Sequence, residues 1–321
     1  MSKTLQKFIS YFTISSLVYY FFLIVETTSL YYNEFGLDLG NTFMVSFSSI
    51  ESVINFGVFI SIILTSSDLL KENFPISKII KSGIAISLLI GGIIFFLLNN
   101  VVPEIKMESY LNRYENARKE AFSSEERVKK INDLRSRDAN IMSIGLIKKF
   151  TDSLKNQNTS QKKIISELFQ KIPDSIINND FSNKELNKYG VSKNKLTSDF
   201  NRRDLIKLKT EIRKNEVLEK QLRTSNWKKS ERYLNMFLTI FLTCFGLVIG
   251  VNFKNQKIFS LVCVGIVIYS QTLTLLSTMS DYFINEKNLI GLIFKLILIL
   301  VVFLYLIYRM QTYKNTGANK A

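Results

Sequence analysis

Six uninterrupted apolar runs constrain this chain more than any other feature. They are Phe8–Val25, Phe43–Leu64, Ile80–Val101, Tyr233–Val251, Ile258–Met279 and Leu289–Tyr308. A hydrocarbon core of roughly 30 Å takes about 20 residues of helix, and each run approaches that length. Burying six such helices in a soluble protein would need a large shell of amphipathic elements, and a chain of 321 residues has no room for one. The average composition, 47% hydrophobic and 21% charged, would suit a soluble domain. Its distribution does not, because the charge is clustered between the runs. The first run follows Lys3 and Lys7 as a signal peptide would, but it is too long and too aromatic (Tyr19, Tyr20, Phe21, Phe22). Glu26-Thr27-Thr28 is also not a small-residue cleavage site, so the run counts as a helix.

Lys and Arg in short loops set orientation. Lys3 and Lys7, then Lys71, Lys78 and Lys81, then Lys254 and Lys257, then Arg309, Lys314 and Lys320 fall on one side. The opposite short loops, 27–42 and 280–288, hold Lys287 beside Glu34, Asp38, Asp281 and Glu286. The expected architecture is therefore an all-α polytopic membrane protein of six transmembrane helices, arranged three and three, with both termini cytoplasmic. Residues 1–102 carry the first three helices, 103–230 form an extracytoplasmic insertion, and 231–321 carry the last three helices and a tail.

The insertion is basic: Val102–Arg232 holds 30 Lys and Arg against 19 Asp and Glu. Its side of the membrane argues against nucleic acid. Solvation, anionic headgroups or an acidic envelope partner suit it better. The insertion also has a helical pattern, with Met107, Leu111, Tyr114, Ala117 and Ala121 recurring every three or four positions. Ser123 with Glu126 and Ser182 with Glu185 have the spacing of capping boxes, the second closed by Gly190. The stretch 198–229 is expected to run straight into the fourth membrane helix.

Several chemistries are absent from the sequence. There is no His, which excludes His-dependent triads and His-ligated metals. Cys244 and Cys263 lie inside apolar runs as packing residues, and no phosphate-loop motif occurs, so no cofactor or metal is expected. The small-residue spacings Gly246/Gly250 and Gly83/Ser87/Gly91 suit close helix packing.

Ionisable and polar residues inside the runs are the candidate sites. Glu51 and Lys295 stand at similar depth if each run is one helix, so they are candidates for an intramembrane charge pair, with Asn55 one turn from Glu51. Gln271 and Thr274, in the polar stretch of the fifth run, and Asn55 are candidates for a substrate-facing wall. Outward snorkelling of Lys295 and simple helix–helix bonding are the alternatives.

Between the second and third runs lies TSSDLLKENFPISKII, Thr65–Ile80, a charged segment with helical spacing of Leu69, Leu70, Phe74 and Ile76. Together with FFLLNNVVPEIKMESY and WKKSERYLNMFLTIFLTCFGLVIGVNFKNQK, it resembles the LptF/LptG permeases of the lipopolysaccharide exporter. The resemblance covers the six helices. It implies a permease subunit of an ABC-type lipid exporter in the bacterial inner membrane, acting with a cytoplasmic ATPase, a second permease chain and an amphipathic lipid. It implies that Thr65–Ile80 is a coupling helix, with Leu69, Leu70 and Phe74 as its apolar stripe and Asp68 and Glu72 meeting basic residues of the ATPase. It further implies that Val101-Val102-Pro103 ends the third helix, and that the first and fifth helices border a lateral entry. Pro75 stands where the family usually has Gly, and the family's insertion is a β-jellyroll whereas this one has a helical pattern. A membrane scaffold or sensor whose helical domain binds an envelope partner is the rival reading. A secondary transporter or channel using Glu51 and Lys295 ranks third.

Overall fold

The computed structural model describes residues 3–35, 39–118, 121–135, 138–171, 186, 188–189, 202–286 and 289–318. Over these residues the regular elements are helical, and no strand occurs. We number the longer helices in chain order: α1 Lys3–Phe35, α2 Leu39–Phe47, α3 Ile50–Lys71, α4 Ile76–Phe96, α5 Val102–Arg118, α6 Ser124–Arg135, α7 Ile144–Phe169, α8 Arg202–Asn252, α9 Ile258–Asn285 and α10 Leu289–Ala318. Six stretches among the described residues are long and apolar enough to cross a membrane. They lie in α1, α3, α4 with its continuation into α5, α8, α9 and α10.

Two compact units emerge, one of Met1–Ile144 with Lys228–Ala321, the other of Gly145–Trp227. α5, α6 and residues 139–141 fall in the first unit and bury apolar side chains against one another. Met107, Leu111 and Ile141 form that core, flanked by Tyr110, Phe122, Ile131 and Leu134. The Ser123/Glu126 box forms as expected at the start of α6: Glu126 N–H donates to Ser123 Oγ at 3.3 Å, and Ser123 N–H donates to Glu126 Oε2 at 3.0 Å. Ser182, Glu185 and Gly190 lie outside the described residues.

In the second unit, α7 repeats Ile147, Thr151, Leu154, Ile165 and Leu168 on one buried stripe against the first half of α8. Thr151 meets Ser225 at 2.6 Å and Gln161 meets Glu211, so the two helices run antiparallel. Ile165, Leu168, Phe169, Leu208 and Ile212 close the core with Leu186 and Tyr189.

In the first unit α3 is the hub. Three glycines from two other helices approach it closely: a Cβ at Gly246 would lie 3.2 Å from Phe59 O and at Gly265 2.5 Å from Ile60 Cδ1, where neighbours would have to shift, and at Gly250 2.6 Å from Ile63 O, where backbone leaves no room. In lipid, such close backbone approach substitutes for a hydrophobic driving force. The core so formed contains Phe56, Phe59, Ile60, Ile63, Leu242, Phe245, Ile249, Leu261 and Tyr269. The Gly83/Ser87/Gly91 stripe of α4 is buried too, with Gly83 against Leu247 and Gly91 against Met236 of α8.

The structure corrects two helix boundaries. The run Phe43–Leu64 is broken: Ser48 and Ser49 make a turn between α2 and α3. At the other site, Val101-Val102-Pro103 does not end the third helix. Leu97–Val101 forms a π-helical turn in which Val102 N–H donates to Leu97 O, and the helix continues as α5. Proline cannot donate to the carbonyl four residues back, and a π-turn placed just before it re-spaces the bonding so that the helix survives. Asn99 fixes the turn by donating to Phe95 O at 2.8 Å and accepting from buried Arg232 at 3.2 Å.

Candidate functional site

An extended concavity follows from α1, whose residues Tyr11, Ile14, Ser15, Val18, Tyr19 and Phe22 recur at helical spacing along one stripe. This stripe faces Phe56, Ile60 and Leu64 of α3 and Ile258, Val262, Ile266, Tyr269 and Leu273 of α9. Together they enclose an almost wholly apolar groove of about 700 Å³. Its floor is rigid: Tyr19 stacks on Phe56 at 4.6 Å, Phe56 meets Tyr269 edge-on at 5.2 Å, and the Tyr269 hydroxyl donates to Ser52 O at 2.8 Å. A groove of this length and polarity accommodates hydrocarbon and offers little to a soluble ligand.

At one end of the groove α1 is clipped to α3 by charge. Lys3, Lys7 and Tyr11 repeat every four residues on α1, as Asp68 and Glu72 do on α3. Glu72 binds Lys7 at 2.7 Å and Lys3 at 2.9 Å, and the Tyr11 hydroxyl donates to Asp68. The hydrogen bonds from Lys7 and Lys3 hold the Glu72 carboxyl below its ordinary range. Matching four-residue spacings on two helix ends were the sequence signal for this clip.

The expected coupling residues take other roles. α3 runs to Lys71 and α4 begins at Ile76, leaving a tight turn with no separate helix between them. Asn73 is left-handed at φ 59°, Asn73 N–H donates to Leu70 O and Phe74 N–H to Leu69 O, which is a Schellman motif. Leu69 and Leu70 are buried with Phe8, Ile79, Leu247 and Val251, and Phe74 packs on the same cluster. The stripe Leu69/Leu70/Phe74 is therefore used inside the chain, and Asp68 and Glu72 meet α1.

Glu51 and Lys295 are not brought together. Glu51 opens α3 just after the Ser48–Ser49 turn, where a carboxylate favours the helix N-terminus, and the charges acting on it belong to Lys106, Glu231 and Lys228. Its Oε2 is buried without a hydrogen-bond partner. Lys295 instead donates to Thr278 Oγ1 at 2.6 Å and Thr274 O at 3.2 Å, bridging α10 to α9. Equal depth for the two charges requires one unbroken helix over Phe43–Leu64, and the Ser48–Ser49 turn breaks it. Asn55 is not on a substrate-facing wall: it is 2% exposed and accepts from Thr239 at 2.8 Å. Gln271 and Thr274 are exposed but do not line the groove, which α9 borders through Tyr269, Ser270 and Leu273.

No family model, curated protein or solved structure matches this chain.

Proposed function

We propose that this chain is a lipid-handling membrane subunit of permease type, embedded in a bacterial inner membrane through six spans with both termini cytoplasmic. ATP hydrolysis resides on a separate ATPase chain, and a second permease chain completes the path for an amphipathic lipid. The observation that carries this reading is the apolar groove between α1 and α9, the first and fifth of the six apolar helices. Those are the two helices that the resemblance to the LptF/LptG permeases makes the border of a lateral entry. Acyl chains entering from the bilayer need no desolvation of polar wall there, since the wall is hydrocarbon and aromatic.

Docking of the ATPase falls to what the turn exposes: Lys71, Glu72, Asn73, Pro75, Ile76, Ser77 and Lys78. A pulldown of the detergent-solubilised protein from its own cells, wild type beside Lys78→Glu, tests the reading. An ATPase recovered with wild type and reduced with the variant supports it. Absence of any ATPase from both samples, with intact protein, refutes it.

One observation favours a second reading, a non-transporting scaffold or sensor. Leu69, Leu70 and Phe74 are consumed by the bundle, so the turn offers a partner charge and the single apolar side chain of Ile76, while Gly145–Trp227 forms a compact helical unit available to an envelope protein. A stable homo-oligomer lacking any ATPase is the outcome that selects it.

A further inference from the structure

At the end of the bundle opposite the Lys3–Glu72 clip, a polar pocket of about 350 Å³ opens among α1, the Ser48–Ser49 turn and α5. It begins where two apolar runs end, the first at Val25 and the third at Val101, so it lies at the depth where hydrocarbon gives way to headgroups. Among the described residues, Lys106 and Arg113, two helical turns apart on one face of α5, and Glu26 from α1 are its charged lining, with the Arg113 guanidinium also set 5.7 Å from the Tyr110 ring centroid. Thr27, Ser48, Ser49, Ser109 and Tyr110 add hydroxyls. Ser49 is also the N-cap residue of α3 and makes no side-chain capping bond, and at it the C-terminal end of α2 meets the N-terminal end of α3. Glu51, in the first turn of α3, is the further carboxylate that Lys106 acts upon.

This charge arrangement discriminates. A simple anion would be drawn to Lys106 and Arg113 but repelled by Glu26, and a simple cation would meet the opposite pattern. A phosphate beside an ammonium satisfies both sides at once. Glu26 also continues the groove-lining stripe of Tyr19 and Phe22 by one helical turn, so the pocket and the apolar groove lie on one face of α1. We propose that the pocket binds a zwitterionic phospholipid headgroup, its phosphate on Lys106 and Arg113 and its ammonium on Glu26. The inference needs the chain to be in a membrane, but it does not need the chain to transport anything.

The test is native mass spectrometry of the purified full chain in detergent, offered phosphatidylethanolamine, phosphatidylglycerol or inorganic phosphate. Wild type is expected to retain phosphatidylethanolamine over phosphatidylglycerol. Lys106→Gln is expected to lower that retention by about tenfold, the worth of one charge-assisted hydrogen bond, and Lys106→Arg to restore it. Glu26→Gln is expected to abolish the preference between the two lipids. Equal retention by wild type and by Lys106→Gln, with both monodisperse on gel filtration, overturns the proposal. So does a wild type that binds inorganic phosphate or phosphatidylglycerol as well as phosphatidylethanolamine, with Glu26→Gln neutral. Because no ATPase enters the experiment, failure of the transport reading leaves this result unaffected.

Discussion

α1 and α3 have nearly the same mean hydropathy over their most apolar stretches, 1.9 and 1.8, yet 6% of that stretch is buried in α1 and 83% in α3. Hydropathy measures whether a helix is admitted to lipid; it does not say where in a bundle the helix goes. What decides the place is how closely neighbours can come. α3 receives Gly246 and Gly250 from α8 and Gly265 from α9 at close approach, and at Gly250 the backbone of α3 leaves no room for a side chain. α1 packs mainly along α3 and leaves its other faces open, and those open faces include one wall of the groove. The buried helix supplies stability, while the exposed one supplies the surface at which we propose a lipid is met.

The contrast can be broken by filling the closest approach. Gly250→Leu would drive a side chain into Ile63 and Ser66 of α3. We expect a loss of about 3 kcal/mol or failure to accumulate, since overpacking of tight interfaces costs roughly 1–3 kcal/mol or more. Leu300→Ala on α10, a 55% exposed site, is expected to be near neutral in the same thermal-unfolding assay in detergent. Equal losses at the two sites would mean that α3 is not the hub.

A smaller effect sharpens the comparison through polar groups. Thr239→Val removes the bond to buried Asn55 and is expected to cost about 1 kcal/mol, in the range of interhelical hydrogen bonds in membranes. Thr13→Val, whose hydroxyl on exposed α1 bonds only its own helix at Ile9 O, is expected to leave the midpoint unchanged.

The smallest effect is the pH response of the α1–α3 clip. Glu72 is held below its ordinary carboxylate range by Lys7 and Lys3. Its contribution is therefore complete above about pH 5 and is lost as pH falls through the lowered value. Wild type should lose thermal stability on acidification more steeply than Glu72→Gln. Coincident pH profiles would assign the acid response to other groups.

How far the sequence foretold this molecule differs by level. The apolar runs and the helical insertion were legible because uninterrupted hydropathy and three-to-four-residue periodicity are local signals. The Ser48–Ser49 turn was not, since an apolar run looks the same whether one helix or two cross it. Pro103 read as a stop, because the π-turn that carries the helix past it is a matter of backbone bonding rather than residue type. Leu69, Leu70 and Phe74 show the same limit on a functional site. Their spacing announces a buried stripe but does not say whether the partner is another protein or the chain's own Phe8, Ile79 and Leu247. The pocket at Lys106 and Arg113 was hidden because its cations come from α5 and its carboxylate from α1, far apart in the chain.

The most direct test of the central claim compares two equally exposed apolar sites. Phe22, 65% exposed, lines the groove, while Leu89, 68% exposed, lies on α4 outside it. A photo-crosslinking residue is placed at each, the protein is washed extensively in detergent, and lipid adducts are measured by mass spectrometry after illumination. Retained lipid is expected to crosslink at position 22, with little at position 89. Equal adducts at both positions, or none at 22, would show that the groove is ordinary bilayer-facing surface and contradict the lipid-handling reading.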